Sequence, residues 1–199
     1  MSKVKNVDLD KERKLLDREI TFFHFKRASK KIVKCLHFAE ATNNEFFIWY
    51  FKGQECILEG DFREAIKYFN RALKIRPKDG CTYNDKALCL AELGKQALAL
   101  ECFNEGIKKD RDCASLYHNK GWLLHSLERY QQALLCFQKA LELEGNRAES
   151  LFSLADTYFK LGNIEKARKF LELTLSRLKG KSSYVRRETL KRLRKLKDV

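Results

Sequence analysis

Proline and glycine are scarce. One Pro and nine Gly in 199 residues amount to less than half the usual share of these two residues, roughly 12% together. An all-β fold draws its tight turns mainly from them, so that class is excluded. Long apolar runs are also missing, and none approaches the ~20 residues of a membrane span. The opening stretch MSKVKNVDLDKERK lacks the apolar centre of a secretory signal. The seven cysteines, at 35, 56, 81, 89, 102, 113 and 136, form no CxxC pair and are odd in number. That pattern argues against a zinc site or a disulfide framework and for buried thiols in a reducing compartment. The expected location is cytoplasmic.

Catalytic motifs are absent too. The sequence contains no HExxH, no GxSxG and no dinucleotide fingerprint. Gly180-Lys181-Ser182 looks like the end of a phosphate-binding loop, but Leu175 stands where that loop needs its first glycine. His118 and His125 are seven residues apart, roughly 10 Å of helix rise, too far for one metal ion. Asp156 has no evident acid–base companion. The expectation is therefore no catalytic residue, no metal, no cofactor and no enzymatic activity.

Apolar side chains and charge are plentiful. Hydrophobic residues make up 44% of the chain, too many for general disorder. Lys and Arg number 41 against 27 Asp and Glu, for a net charge of +14. Ala65, Ala99, Ala133 and Ala167 recur every 34 residues. Each is followed four positions on by Phe69, Phe103, Phe137 or Leu171, and seven on by Ala72, Gly106, Ala140 or Thr174. Sixteen positions before each alanine stand Trp49, Tyr83, Tyr117 and Leu151, with small Gly53, Ala87, Gly121 and Ala155 four residues later. The apolar spacing predicts two amphipathic helices per period. Small residues let their axes cross closely. Gly60 reads as a left-handed helix stop and Asp61 as a cap for the next helix. One such hairpin cannot bury its apolar face alone, so neighbours must stack.

Trp49, Gly53, Gly60, Ala65, Phe69, Ala72 and Pro77 carry a resemblance to the tetratricopeptide repeat. Later periods depart from it: Arg111, Gly145 and Lys179 replace the closing proline, and Glu128 replaces the inter-helix glycine. The resemblance implies an all-α, right-handed superhelical solenoid of helix hairpins, with repeats over 46–79, 80–113, 114–147 and 148–181. Residues 1–45 form an N-terminal helical segment, and 12–45 read either as a degenerate repeat or as flanking helices that cap the first full one. Phe22, Phe23, Phe25, Ile32, Val33, Leu36 and Phe38 need a surface there. Residues 182–199 read as a basic C-terminal capping helix, in which Arg186, Arg187, Lys191, Arg192, Arg194 and Lys195 form a patch.

The resemblance further implies a concave groove, lined by the first helix of each unit, that receives a peptide or helix of a protein partner. Helical spacing places Tyr50, Gln54, Asn84, Leu88, His118, Asn119, Trp122, His125, Phe152 and Asp156 on that face. Trp122, between two histidines, is the best anchor because an indole buries area and keeps a donor. At the two ends, Phe47, Tyr50, Phe152 and Phe159 have an alternative use in packing the terminal segments. Tetratricopeptide co-chaperones grip a chaperone's C-terminal carboxylate with Lys, Asn and Arg. Here those places hold Tyr50, Gln54, Asp85, Ser115 and Asn119 in one register, and Asn84, Leu88, Asn119, Glu149 and Ser153 in the other. Neither set supplies the cations, which disfavours that role. The sequence therefore points to a protein-binding scaffold; the alternative is an RNA- or anion-binding adaptor working through the C-terminal helix.

Overall fold

A computed structural model describes residues 7–21, 25–145, 147–178 and 184–196. Phe22, Phe23, the side chain of Phe25, Lys179 and the Gly180-Lys181-Ser182 stretch lie outside the described residues. All regular structure among the described residues is α-helix: α1 (Leu9–Thr21), α2 (Phe25–Ala41), α3 (Glu45–Glu59), α4 (Phe62–Ile75), α5 (Gly80–Glu92), α6 (Gln96–Lys109), α7 (Ala114–Ser126), α8 (Tyr130–Glu144), α9 (Ala148–Lys160), α10 (Ile164–Arg177) and α11 (Tyr184–Lys195). From α3 to α10 the ends fall within one residue of the spans that the apolar period predicts, 46–58, 62–75, 80–93, 96–109, 114–127, 130–143, 148–161 and 164–177. The chain divides into two compact units, Met1–Cys102 and Phe103–Val199.

The turn that closes each hairpin repeats one conformation. Gly60, Gly94 and Gly162 have φ of 80°, 71° and 75°, and Glu128 takes the same place with φ 58°. Side chains of Asn44, Asp61, Asp79 and Asn163 accept hydrogen bonds from backbone amides three residues on, starting α3, α4, α5 and α10.

In the first unit, α3 and α4 cross where Gly53 meets the Phe69 ring; a Cβ on Gly53 would sit 2.5 Å from Phe69 Cε1. Leu16, Ile32 and Ala39 from α1 and α2 join Phe46, Tyr50, Phe51 and Phe69 in one core. This is the surface that the apolar N-terminal segment needs, although Val33 remains exposed. Helix α1 opens at Leu9, three residues ahead of where a repeat over 12–45 would begin.

In the second unit, Gly121 lies against the Phe137 ring in the same way. Ala155, Ala167 and Leu171 close on Leu196 of α11, with Phe152, Phe159 and Leu193 alongside. Cys35, Cys89, Cys102 and Cys136 are buried. Burial pushes the Cys35 thiol up to about 11 and also raises those of Cys89 and Cys136. Cys56, Cys81 and Cys113, read from the sequence as buried thiols with the others, are only half-buried. No helix among the described residues is long and apolar enough to cross a membrane.

Candidate functional site

Sequence spacing assigns Tyr50 and Gln54 on α3, and Asn84 and Leu88 on α5, to an open binding face. In the first unit that face is already covered. Tyr50, Gln54 and Asn84 are 0%, 2% and 7% exposed, and Leu88 is half-buried. Tyr50, Gln54 and Asn84 are therefore corrected from open groove residues to members of a buried polar network centred on Asp85, while Leu88 stays partly open beside it. Tyr50 Oη donates to Asp85 Oδ2 at 2.8 Å, Gln54 Nε2 donates to the same oxygen, and Asn84 Nδ2 donates to Oδ1 at 3.1 Å. Burial raises the Asp85 carboxyl to about 6, against the opposing pull of the Tyr50 and Asn84 hydrogen bonds and the Arg13 charge.

Against Tyr50 in this face lies Arg13 of α1. Its guanidinium grips Asp79 at both ends, with Nη1 to Oδ2 and Nη2 to Oδ1 each 2.9 Å. It lies 5.4 Å from the Tyr50 ring centre and 5.9 Å from that of Phe46. Burial alone would raise the Asp79 carboxyl, but its hydrogen bond and ion pair with Arg13 hold it below the usual range. Neither Arg13 nor Asp79 is legible as part of this face. Arg13 lies outside the clear 34-residue period, and Asp79 reads simply as the cap of α5.

In the second unit, α7 and α9 carry the remaining candidates. His118 Nδ1 lies 3.0 Å from Ser150 Oγ, and its ring packs 5.5 Å from the Phe137 ring. Burial, helped by the Arg147 charge, lowers its pKa to about 4. His125 Nε2 lies 3.4 Å from Asp156 Oδ2, and Asp156 Oδ1 pairs with Arg192 of α11 at 2.6 Å. Burial alone would raise the Asp156 carboxyl; His125 and Arg192 together hold it low. Asp156 thus has partners that sequence spacing did not reveal, and it fastens the C-terminal helix. Phe152 packs on that helix's cluster, and Asn119 is half-buried. Trp122 differs from all of these: it is 53% exposed.

The basic patch on α11 is divided. Arg192 is engaged with Asp156, and its guanidinium stands 5.6 Å from the Phe159 ring centre. Arg186 is half-buried, whereas Arg187, Lys191, Arg194 and Lys195 lie further toward solvent. Among the described residues no group of three or more His, Cys, Asp or Glu side chains is placed to hold a metal ion.

Comparison with known proteins gives a consistent picture. Residues 46–79 and 114–146 match one sequence model of the tetratricopeptide repeat, and residues 136–169 match another. The protein MJ0572 of Methanocaldococcus jannaschii, itself uncharacterised, is 36% identical over 63 residues, which cover 32% of this chain and 73% of that one. The Hsp70-Hsp90 organising protein of Plasmodium falciparum is 40% identical over 60 residues, 29% of this chain and 24% of that protein. The chain thus spans about a quarter of that relative. With this likeness in view, the expectation that disfavours a chaperone-tail partner finds no support in the comparisons. Among solved structures, TTC0263, a thermophilic TPR protein in Thermus thermophilus, shares the fold with a TM-score of 0.72 at 14% identity. The match covers 94% of this chain and all of that one.

Proposed function

Since the chain belongs to the tetratricopeptide repeat family, we propose that it is a non-enzymatic scaffold that takes a peptide or helix of a protein partner on the α7–α9 face of its second unit. The observation that carries this reading is Trp122. An indole left 53% exposed on a helix whose imidazole groups are packed is an unspent apolar surface with one hydrogen-bond donor. Such residues dominate binding energy when a partner covers them. His118 and His125 frame the indole but are committed to Ser150 and Asp156. They shape the site without being free to contact a ligand strongly.

The test selects binders to the full chain from a peptide library that includes the C-terminal segments of Hsp70 and Hsp90, the chaperones in the Plasmodium relative's name. Selected peptides should bind Trp122→Ala at least tenfold more weakly, while its thermal unfolding midpoint stays close to that of the parent. Phe137, 1% exposed in the core, is the contrast: Phe137→Ala should cost roughly 3–5 kcal/mol of stability. Peptides that bind the parent and Trp122→Ala equally would remove the indole from the reading.

A second reading rests on Arg187, Lys191, Arg194 and Lys195 of α11, which Asp156 does not engage. If this face holds RNA, affinity for a single-stranded oligonucleotide should fall steeply with salt, with a log–log slope of roughly −3 for four phosphate contacts. Replacing the four by Gln should abolish that binding and leave the Trp122 peptides unaffected.

A further inference from the structure

The first unit carries a recognition feature independent of the Trp122 reading. We propose that its α3–α5 face is a guanidinium pocket for an arginine on a partner helix, and that Arg13 of α1 occupies the pocket in the free chain as a self-ligand.

Three observations support this. The first is the chemistry of the walls. Asp79 offers both carboxylate oxygens in the parallel, two-bond arrangement that distinguishes guanidinium from ammonium. Tyr50 and Phe46 stand within cation–π range, and the Asp85 carboxyl lies behind. A cluster of this sign, in a chain of net charge +14, selects for cations.

The second is that the pocket is held by the unit's own hairpins. Asp79 Oδ2 accepts from Thr82 N at 2.9 Å and from Thr82 Oγ1 at 2.6 Å. Those bonds start α5, so they fix the carboxylate without help from α1. The network of Tyr50, Gln54 and Asn84 fixes Asp85 in the same way, using only α3 and α5.

The third is that Arg13 is an imperfect occupant. It is 8% exposed, and its Nε is buried with no hydrogen-bond partner among the described residues. Burying a donor without a partner works against the contact. An arginine entering from another backbone direction can keep the two-bond grip and satisfy that nitrogen. Beside the pocket, the Arg76 guanidinium lies 4.1 Å from the Phe46 ring centre and 4.8 Å from that of Phe47. The same aromatic surface therefore already carries a second guanidinium. Among the described residues, Asp10 of α1 also pairs with Arg13 at 3.1 Å and with Arg76 at 3.5 Å, Glu12 pairs with Lys31, and Leu9 and Leu16 seat the helix in the apolar core.

The probe is a fluorescein-labelled peptide of residues 7–21 of this chain, followed by anisotropy on the full-length protein. In the parent, α1 competes from the same chain at high effective concentration and the peptide binds weakly. With Arg13→Ala the tethered competitor loses its two-bond grip and keeps only the apolar contacts of Leu9 and Leu16, and the peptide should bind at least tenfold more tightly. The same peptide carrying Ala at the Arg13 position should lose that gain, as should the double variant Arg13→Ala, Asp79→Asn. Circular dichroism establishes that each variant is folded. Should Arg13→Ala fail to fold, Arg13→Lys keeps the charge without the two-bond fork and must give the same order of affinities. Equal peptide binding by parent and variant overturns the proposal. So does a gain that survives removal of the peptide's arginine.

Discussion

Glu128 sits where three sister turns carry glycine, with φ 58° against 80°, 71° and 75° for Gly60, Gly94 and Gly162. A left-handed conformation costs a residue with a Cβ roughly 1–2 kcal/mol, while a new glycine loses more entropy on folding by roughly 0.5–1 kcal/mol. Glu128→Gly should therefore stabilise the second unit by about 0.5–1 kcal/mol in chemical denaturation, and a loss of stability would show that the Glu128 side chain makes an unseen favourable contact. The departure at this position is plain in the sequence. The fate of Tyr50, Gln54 and Asn84 is not. Periodicity reveals which side of a helix faces away from its hairpin partner, but not what arrives from elsewhere to cover that side. Trp122 stays open because nothing among the described residues covers it; Asp156 is covered by an arginine 36 residues further on, which no period announces.

At the scale of the helices, the period is almost fully informative between α3 and α10. The same residues that form each helix also decide how closely it meets the next, so apolar spacing and packing agree. Gly53 tests that claim. Alanine is worth roughly 1 kcal/mol more than glycine inside a helix, and an isolated α3 would gain from it. In the hairpin, a Cβ would stand 2.5 Å from Cε1 of the fully buried Phe69 ring. Overpacking of this kind costs roughly 1–3 kcal/mol. The expected result for Gly53→Ala is a lowered thermal midpoint, restored in part by a second change of Phe69→Leu. An unchanged or raised midpoint would mean that the ring moves aside at no cost. Helix α1 is less legible for the same physical reason. Its apolar residues announce burial, but Arg13 is a surface residue by composition, and only the fold brings Asp79 to it.

Across the whole molecule, acid should act on the two units in opposite directions. Asp85 in the first unit has its carboxyl raised to about 6, so between roughly pH 4 and 6 the folded form keeps a proton that the unfolded form has lost. Its contribution is present at the acid end of that window and fades as pH rises, by about 3 kcal/mol. His118 in the second unit is lowered to about 4 from 6.5. There the unfolded form takes the proton first, and stability of similar size is lost as pH falls from about 6.5 to 4. Asp79 and Asp156, both held low, add losses only below about pH 4. Amide exchange at about pH 6.5 and about pH 4.5, corrected for intrinsic rates, should show falling protection in α7–α9 and maintained or rising protection in α3–α5. Asp85→Asn should flatten the first unit's response and His118→Gln the second's. Parallel changes in both units would contradict the assignment.

The grip of Arg13 on Asp79 also sets an order of events at the ribosome. The two residues are 66 positions apart, and a chain grows at roughly 5–20 residues per second. Several seconds therefore separate the appearance of the guanidinium from that of its carboxylate, while helices and hairpins form in microseconds. During that interval the Asp79 that closes the contact has not yet been made. A nascent chain held at that point carries an arginine that has its helix neighbour Asp10, 3.1 Å away, but not the distant carboxylate that grips it at both ends. The contact between Arg13 and Asp79 is thus settled only in the later part of the first unit's synthesis, well after its guanidinium has been made.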